Sequence, residues 1–296
     1  GVQTCALPIS NVGTTAFKSS RVRFQDMVSQ TSASALAPAT TQGGVNGQQV
    51  GLGVQVAGID TMVGQGMMQP TNNNLDVAID GDGYLMVANG PISGSVTLDT
   101  DGKIVTTTGL DLSYTRDGAL TKDHAGHLLT SGGARVMGYS KNTAYDDAGI
   151  PTVTFVDANG TVEAGDTLIP LSIPDTIGEK KVTTFAIEKD GAIKANLADG
   201  SVAFIGQIAM TSFANPQGLS KNGGNLYKST SNSGKPVVRS GLGATNDNSA
   251  GYGNMEENML EMSNVDLAEQ FTDMIVAQRA FQASGKSITK IGRAHV

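Results

Sequence analysis

Residues 80–84 (DGDGY) and 99–103 (DTDGK) open like calcium loops, with carboxylates two apart and a glycine close by. Such a loop needs oxygen ligands at its first, third and fifth positions and a glutamate at its twelfth. The first stretch has Tyr84 at the fifth position and Pro91 at the twelfth; the second has Lys103 at the fifth. Both fail as metal sites, and the chemistry of Asp–Gly turns accounts for them. His124 and His127 form an i, i+3 pair with no third ligand at a useful spacing, and both are expected to be solvated turn residues. His295 lies in the terminal tail. No Ser–His–Asp order, phosphate loop or complete dinucleotide glycine pattern is present. The formal glycosylation sequon at 159–161 reads as a turn. No catalytic residue, metal or cofactor is therefore expected. A β-domain hydrolase using exposed acids, or a non-assembling adhesin, is a remote alternative to a non-enzymatic role.

The elements that carry these turns are β-strands. The chain of 296 residues has 38 Gly, no Trp, 5 % aromatic and 16 % charged residues. That composition describes a turn-rich protein with a modest core and one or two domains. The net charge is −7 with no Lys/Arg run, which argues against nucleic acid as a partner. No run of eighteen apolar residues is present, so no membrane span is expected. The single Cys5 leaves no disulfide and no multi-cysteine zinc site. Residues 1–9 and 291–296 fit neither adjoining segment and read as adaptor-derived additions outside the fold.

From residue 50 onward apolar residues recur with period two. Residues 75–87 give the clearest hairpin: Leu75, Val77 and Ile79 alternate, and Tyr84 begins the return strand. Asp-Gly or Asn-Gly pairs at 101–102, 117–118, 159–160, 190–191 and 199–200 punctuate the chain at hairpin spacing. No helical window separates these strands, which excludes parallel βαβ units. The fold class is thus mainly β: an antiparallel domain of hairpin or Greek-key strands over 50–262, with a small insertion near 141–166. Residues 31–49 are small, polar and without periodicity, and read as a flexible linker.

Helical segments bracket this domain. Phe17, Phe24 and Met27 or Val28 predict a short N-terminal helix within 10–30. Residues 263–290 predict an amphipathic helix with Ser263 as N-cap and Asp266 in the first turn. Leu267, Phe271, Met274, Gln278, Phe281, Gly285 and Ile288 alternate at spacings of four and three, a heptad seam that Ile275 and Val276 widen. Burying five of its large side chains contributes about 7–15 kcal/mol as an upper bound. Ordering the segment costs more than that in backbone entropy, at about 1–2 kcal/mol per residue. The helix needs a partner. It either pairs with the N-terminal helix or closes onto the β domain, and the pattern alone leaves both open.

Five ordered stretches resemble the bacterial flagellar rod and hook proteins: residues 11–27 (NVGTTAFKSSRVRFQDM), 72–87 (NNNLDVAIDGDGYLMV), 114–120 (YTRDGAL) with 126–133 (GHLLTSGG), 205–227, and 263–282 (SNVDLAEQFTDMIVAQRAFQ). The resemblance implies a self-assembling axial subunit, with a β-rich outer domain and terminal helices paired in a coiled-coil-like inner tube. It implies type III export to the cell exterior without a cleaved signal, and contact with other copies, rod, hook cap and hook–filament junction proteins. On that basis Phe17, Phe24, Met27, Leu267, Phe271, Met274, Ile275, Gln278, Phe281 and Ile288 are expected at the helix and subunit interface. Within the family the wording is nearest to hook subunits, which transmit motor torque to the filament. A distal rod subunit is the alternative, favoured by the short stretch between 139 and 205.

Overall fold

The structure, a computed structural model, describes residues 2–294 apart from 36, 38–42, 45, 141–142, 147–148, 159–166 and 240–251. The sequon and parts of the linker, the insertion and the C-terminal tail lie outside the described residues. The chain divides into two compact units: one of Gly1–Ile9, Ser19–Met62 and Leu267–Val296, the other of Ser10–Lys18 and Val63–Asp266.

The larger unit is the expected antiparallel β domain, but the hairpin expected over 75–87 does not form: Val77–Asp80 pairs with Asn254–Glu257, and Tyr84–Asn89 pairs elsewhere. Among the described residues, sixteen strands join in one sheet, and its central strand Tyr84–Asn89 pairs with Asp111–Thr115, Arg135–Tyr139 and Met210–Ser212, all antiparallel. This strand buries both faces. Leu85 and Val87 join a core with Ile79, Leu128, Ile193 and Ile205, whereas Tyr84, Met86 and Ala88 join a second with Tyr114, Met137, Phe213 and Tyr227. A strand covered on both sides loses its alternation and reads as a continuous apolar run, as YLMVA does. Edge-to-face aromatic contacts fasten the second core, with Tyr114 and Phe213 centroids 4.8 Å apart and Tyr84 and Phe213 5.7 Å apart.

The Asp–Gly turns behave as their residue types require. Asp99 Oδ1 accepts the Asp101 and Lys103 amides, so the carboxylate of the apparent calcium loop caps its own turn. Asp190 and Asp199 do likewise for Ala192 and Ser201, and Gly191 and Gly200 take the left-handed conformation that suits glycine. Gly118 serves a different purpose: a Cβ there would lie 1.6 Å from the Val77 carbonyl oxygen. Backbone, not a movable side chain, occupies that space, so Gly118→Ala is expected to cost about 1–3 kcal/mol. An unchanged urea midpoint in that variant would show that the approach is not tight.

In and beside the smaller unit four expectations are corrected. Phe17 to Val28 do not form a helix; Ser20–Asp26 is a strand paired antiparallel with Val54–Thr61. The reason is legible in SRVRFQD, where Val22 and Phe24 alternate with Arg21, Arg23 and Gln25, a period of two that outweighs the sparse seven-residue spacing. The expected linker 31–49 is not a plain coil, because Gln30–Ala33 pairs with Gln48–Val50. Val54–Thr61, expected within the β domain, therefore belongs to this ribbon. Its register places Val22 opposite Ile59 and Phe24 opposite Val56 on one face, while Arg23 and Arg21 reach Asp60 on the other. Of these four apolar residues Phe24 is 61 % and Ile59 67 % exposed, so the ribbon's apolar face is open in the isolated chain. Residues 1–9, expected to lie outside the fold, fall largely within helix α1 (Val2–Ser10).

Helix α2 spans Leu267–Ala294. It begins three residues later than the Ser263 cap predicts. Ser263 and Asn264 are used otherwise: Ser263 Oγ accepts the Val265 amide, and Asn264 donates to the Phe17 and Gly64 carbonyls. Asp266 takes the place immediately before the helix, where an acid suits the helix dipole.

Candidate functional site

Within the β domain the two chain-terminal segments are fastened by a buried ionic clasp. Lys18 comes from the N-terminal segment, Arg116 from the 114–120 stretch and Glu261 from the strand Met259–Glu261. Lys18 Nζ lies 2.5 Å from Glu261 Oε1 and 2.9 Å from the Gly64 carbonyl oxygen. Arg116 Nε donates to Glu261 Oε2 at 2.7 Å. Its two terminal nitrogens donate to the carbonyls of Ile79, Gly81 and Gly83 at 2.8–2.9 Å. The Gly66 amide completes the carboxylate at 2.9 Å. All three charged side chains are buried, and each has hydrogen-bond partners beyond its counter-ion, which burial of charge demands.

The clasp gives the opening DGDGY stretch a role other than metal binding. Gly81 and Gly83 have φ values of +111° and +127°, a backbone path open chiefly to glycine, and their carbonyl groups receive the Arg116 fork. Around it the N-terminal segment is held by backbone. The Ala16 amide donates to the Glu261 carbonyl, Asn225 Nδ2 to the Thr15 carbonyl, and Lys221 Nζ to the Lys18 carbonyl. Lys221 also lies 5.2 Å over the Phe17 ring.

Burial works to raise the Glu261 carboxyl, but the Arg116 charge, the Lys18 hydrogen bond and charge, and the Gly66 amide outweigh it and hold it below its ordinary value. For Lys18, burial outweighs the pull of Glu261 and pushes the ammonium below its ordinary value. Burial is thus adverse for both members, and the carboxylate, with two cations and an amide, is the better compensated. A carboxyl held low in the folded state contributes stability that is present above its unfolded value and lost as pH falls through the folded one. The β domain should therefore lose stability below about pH 4.5, the ordinary range of a glutamate. Glu261→Gln, compared by thermal unfolding between pH 7 and 3, is expected to flatten that acid limb; an unchanged limb would remove the clasp from this account.

The sequence-predicted interface residues are not gathered into one helical seam. Phe17 is half-buried in the N-terminal segment of the β domain, and Phe24 and Met27 belong to the ribbon region. Leu267, Phe271, Met274, Ile275, Gln278 and Phe281 lie on α2 as expected. Of these only Met274 is half-buried; Phe271 is 49 % exposed and Phe281 79 %. The Ile288 side chain lies outside the description. An apolar helical stripe left in water is a surface for association. His124 is exposed as expected, but His127 is not solvated: its ring is 2 % exposed beneath a hairpin. No group of three His, Cys, Asp or Glu side chains positioned for a metal occurs among the described residues, and no described helix is long and apolar enough to cross a membrane. Sequence reasoning missed Lys18, Arg116 and Glu261, whose partners lie 145 and 243 residues apart in the chain.

Residues 256–292 match the model of the flagellar basal body rod FlgEFG protein C-terminal family. The chain is 37 % identical over 281 residues to the flagellar basal-body rod protein FlgG of Bacillus subtilis, covering 95 % of this chain and 85 % of that one. It is 28 % identical over an alignment of 410 residues to the flagellar hook protein FlgE of Borreliella burgdorferi, covering 95 % and 91 %. The structure of the Helicobacter pylori flagellar hook protein FlgE2 aligns with a TM-score of 0.46 and 11 % identity, over 66 % of this chain and all of that one.

Proposed function

We propose, for a chain that belongs to the flagellar basal-body rod and hook family, the role of a rod subunit that builds a tubular axis with copies of itself. The family makes it an axial structural subunit of the flagellum. The observation that carries the assembly reading is the exposed apolar stripe of α2, which has no use in a solitary monomer. Copies of this chain are the partners, with adjoining axial proteins at the two ends of the tube, and the role is mechanical and not catalytic. Export to the exterior of the cell membrane belongs to the same reading.

The choice of rod over hook rests on the compact outer domain. The rod relative aligns over 281 residues, nearly the length of this chain, whereas the hook relative needs 410, so long stretches of it have no counterpart here. The hook reading keeps its support in the motif wording of 205–227 and 263–282. An epitope-labelled chain expressed in a flagellated bacterium separates the two. Label on the rod segment of purified hook–basal bodies is expected; label confined to the hook overturns the rod assignment, and label on neither overturns the axial role.

A further inference from the structure

The charges of helix α2 are divided by sign along its length. Asp266, Glu269 and Asp273 come first, Arg279, Lys286 and Lys290 follow, and all six side chains are exposed. An isolated helix gains nothing from this order. Glu269 and Asp273 are four residues apart, as are Lys286 and Lys290, so like charges meet one turn on and weaken a helix standing alone. The helix dipole accounts for Asp266 and Glu269, but its reach is a single turn at each end. Asp273 in the second turn, Arg279 at mid-helix and Lys286 two turns from the end lie beyond it. The charges also form rows: Asp266 and Asp273 are seven residues apart, and so are Arg279 and Lys286. At 3.6 residues per turn each row lies roughly 130° round the helix from the apolar stripe, the acidic row on one side of it and the basic row on the other.

We infer that these rows are a second association surface of α2, occupied by the α2 helix of another copy that runs in the same direction and is displaced along the axis by about half the helix length. The inference rests on the assembly reading and adds to it how neighbouring copies are set along the axis. Parallel neighbours bring opposite flanks together, acidic row against basic row, whereas antiparallel neighbours bring like flanks together. A parallel pair in register leaves both rows without a counter-charge, because acids and bases stand at different levels. A displacement of thirteen residues, about 20 Å at 1.5 Å per residue, sets Asp266 beside Arg279 and Asp273 beside Lys286 at once. Such a contact is heterologous: each copy offers its acidic row to one neighbour and its basic row to the next, so the series propagates as a tube requires. The apolar stripe supplies area but tolerates sliding, and the charge rows fix the register.

Sedimentation of the whole purified chain over a concentration series tests this register. Asp273→Lys sets a cation against Lys286 of the neighbouring copy, and Lys286→Glu sets an acid against its Asp273. Each is expected to raise the concentration for half-assembly at least about threefold, with β-domain melting unchanged. The double substitution Asp273→Lys with Lys286→Glu exchanges the signs of the pair and should assemble as the unsubstituted protein does. Asp273→Lys with Arg279→Glu should stay weak, since it leaves like charges at both contacts. The inference is overturned, with the assembly reading left standing, if Asp273→Lys assembles as readily as the unsubstituted chain. A first double variant no better than its single parents overturns it equally, as does rescue by Arg279→Glu. An unsubstituted chain that stays monomeric throughout overturns both.

Discussion

Replacing Glu261 by Ala is expected to lower the unfolding free energy of the β domain by about 3–5 kcal/mol, because it strands Lys18 and Arg116 as buried cations without a counter-charge. That is a large share of the roughly 5–15 kcal/mol by which a domain is stable. Lys18→Met should cost less, since Glu261 keeps Arg116 and the Gly66 amide. The triple replacement of Lys18, Arg116 and Glu261 by apolar residues of similar volume should recover much of the loss, because a buried ion pair gains little over good apolar packing. The clasp is thus read as a device that fixes where the two chain-terminal segments attach, more than as a net source of stability. Urea unfolding with unchanged slope checks the series. A loss under about 1 kcal/mol for Glu261→Ala would mean that water reaches the site.

The second large effect concerns assembly. Phe271→Asp and Met274→Asp place carboxylates in the α2 stripe, while the β domain, whose core uses neither residue, should unfold at its ordinary temperature. A Phe or Met buried at an interface contributes about 1.5–3 kcal/mol. Losing one and burying a charge instead should weaken association at least about a hundredfold, at 1.4 kcal/mol per factor of ten. Incorporation into flagella is expected to fail. Normal incorporation of either variant would show that the stripe is not an interface.

How much of this was legible in the sequence depends on the range of the interaction. Tight turns are local, so the Asp–Gly pairs at 101–102, 190–191 and 199–200 lead directly to antiparallel hairpins, whereas the alternation at Leu75–Ile79 marks a strand but not its partner, which lies about 175 residues on in Asn254–Glu257. The α2 periodicity is equally local and survives apart from its start, which Asn264 moved by donating to Phe17 and Gly64. The N-terminal helix was misjudged because three aromatic or methionine positions were weighed above the R-V-R-F alternation that pairs with Val54–Thr61. The clasp had no local signal. Lys18 stands in FKSSR and Glu261 in MLEMS, and nothing in either neighbourhood shows that the fold brings them to Arg116. A charged residue inside an apolar run, as Glu261 is, was the one available hint. His127 was likewise judged by its turn, and the hairpin that buries it lies some twenty residues on.

The central claim is that this chain is a building block held together by its own β domain and completed by its copies. Sedimentation of the purified chain over a wide concentration range, beside its Phe271→Asp variant, tests it most directly. The account predicts concentration-dependent growth of the unsubstituted protein into polymers, abolished by the substitution with the β domain intact. A chain that stays a single monodisperse species at every concentration, indistinguishable from the variant, would contradict it.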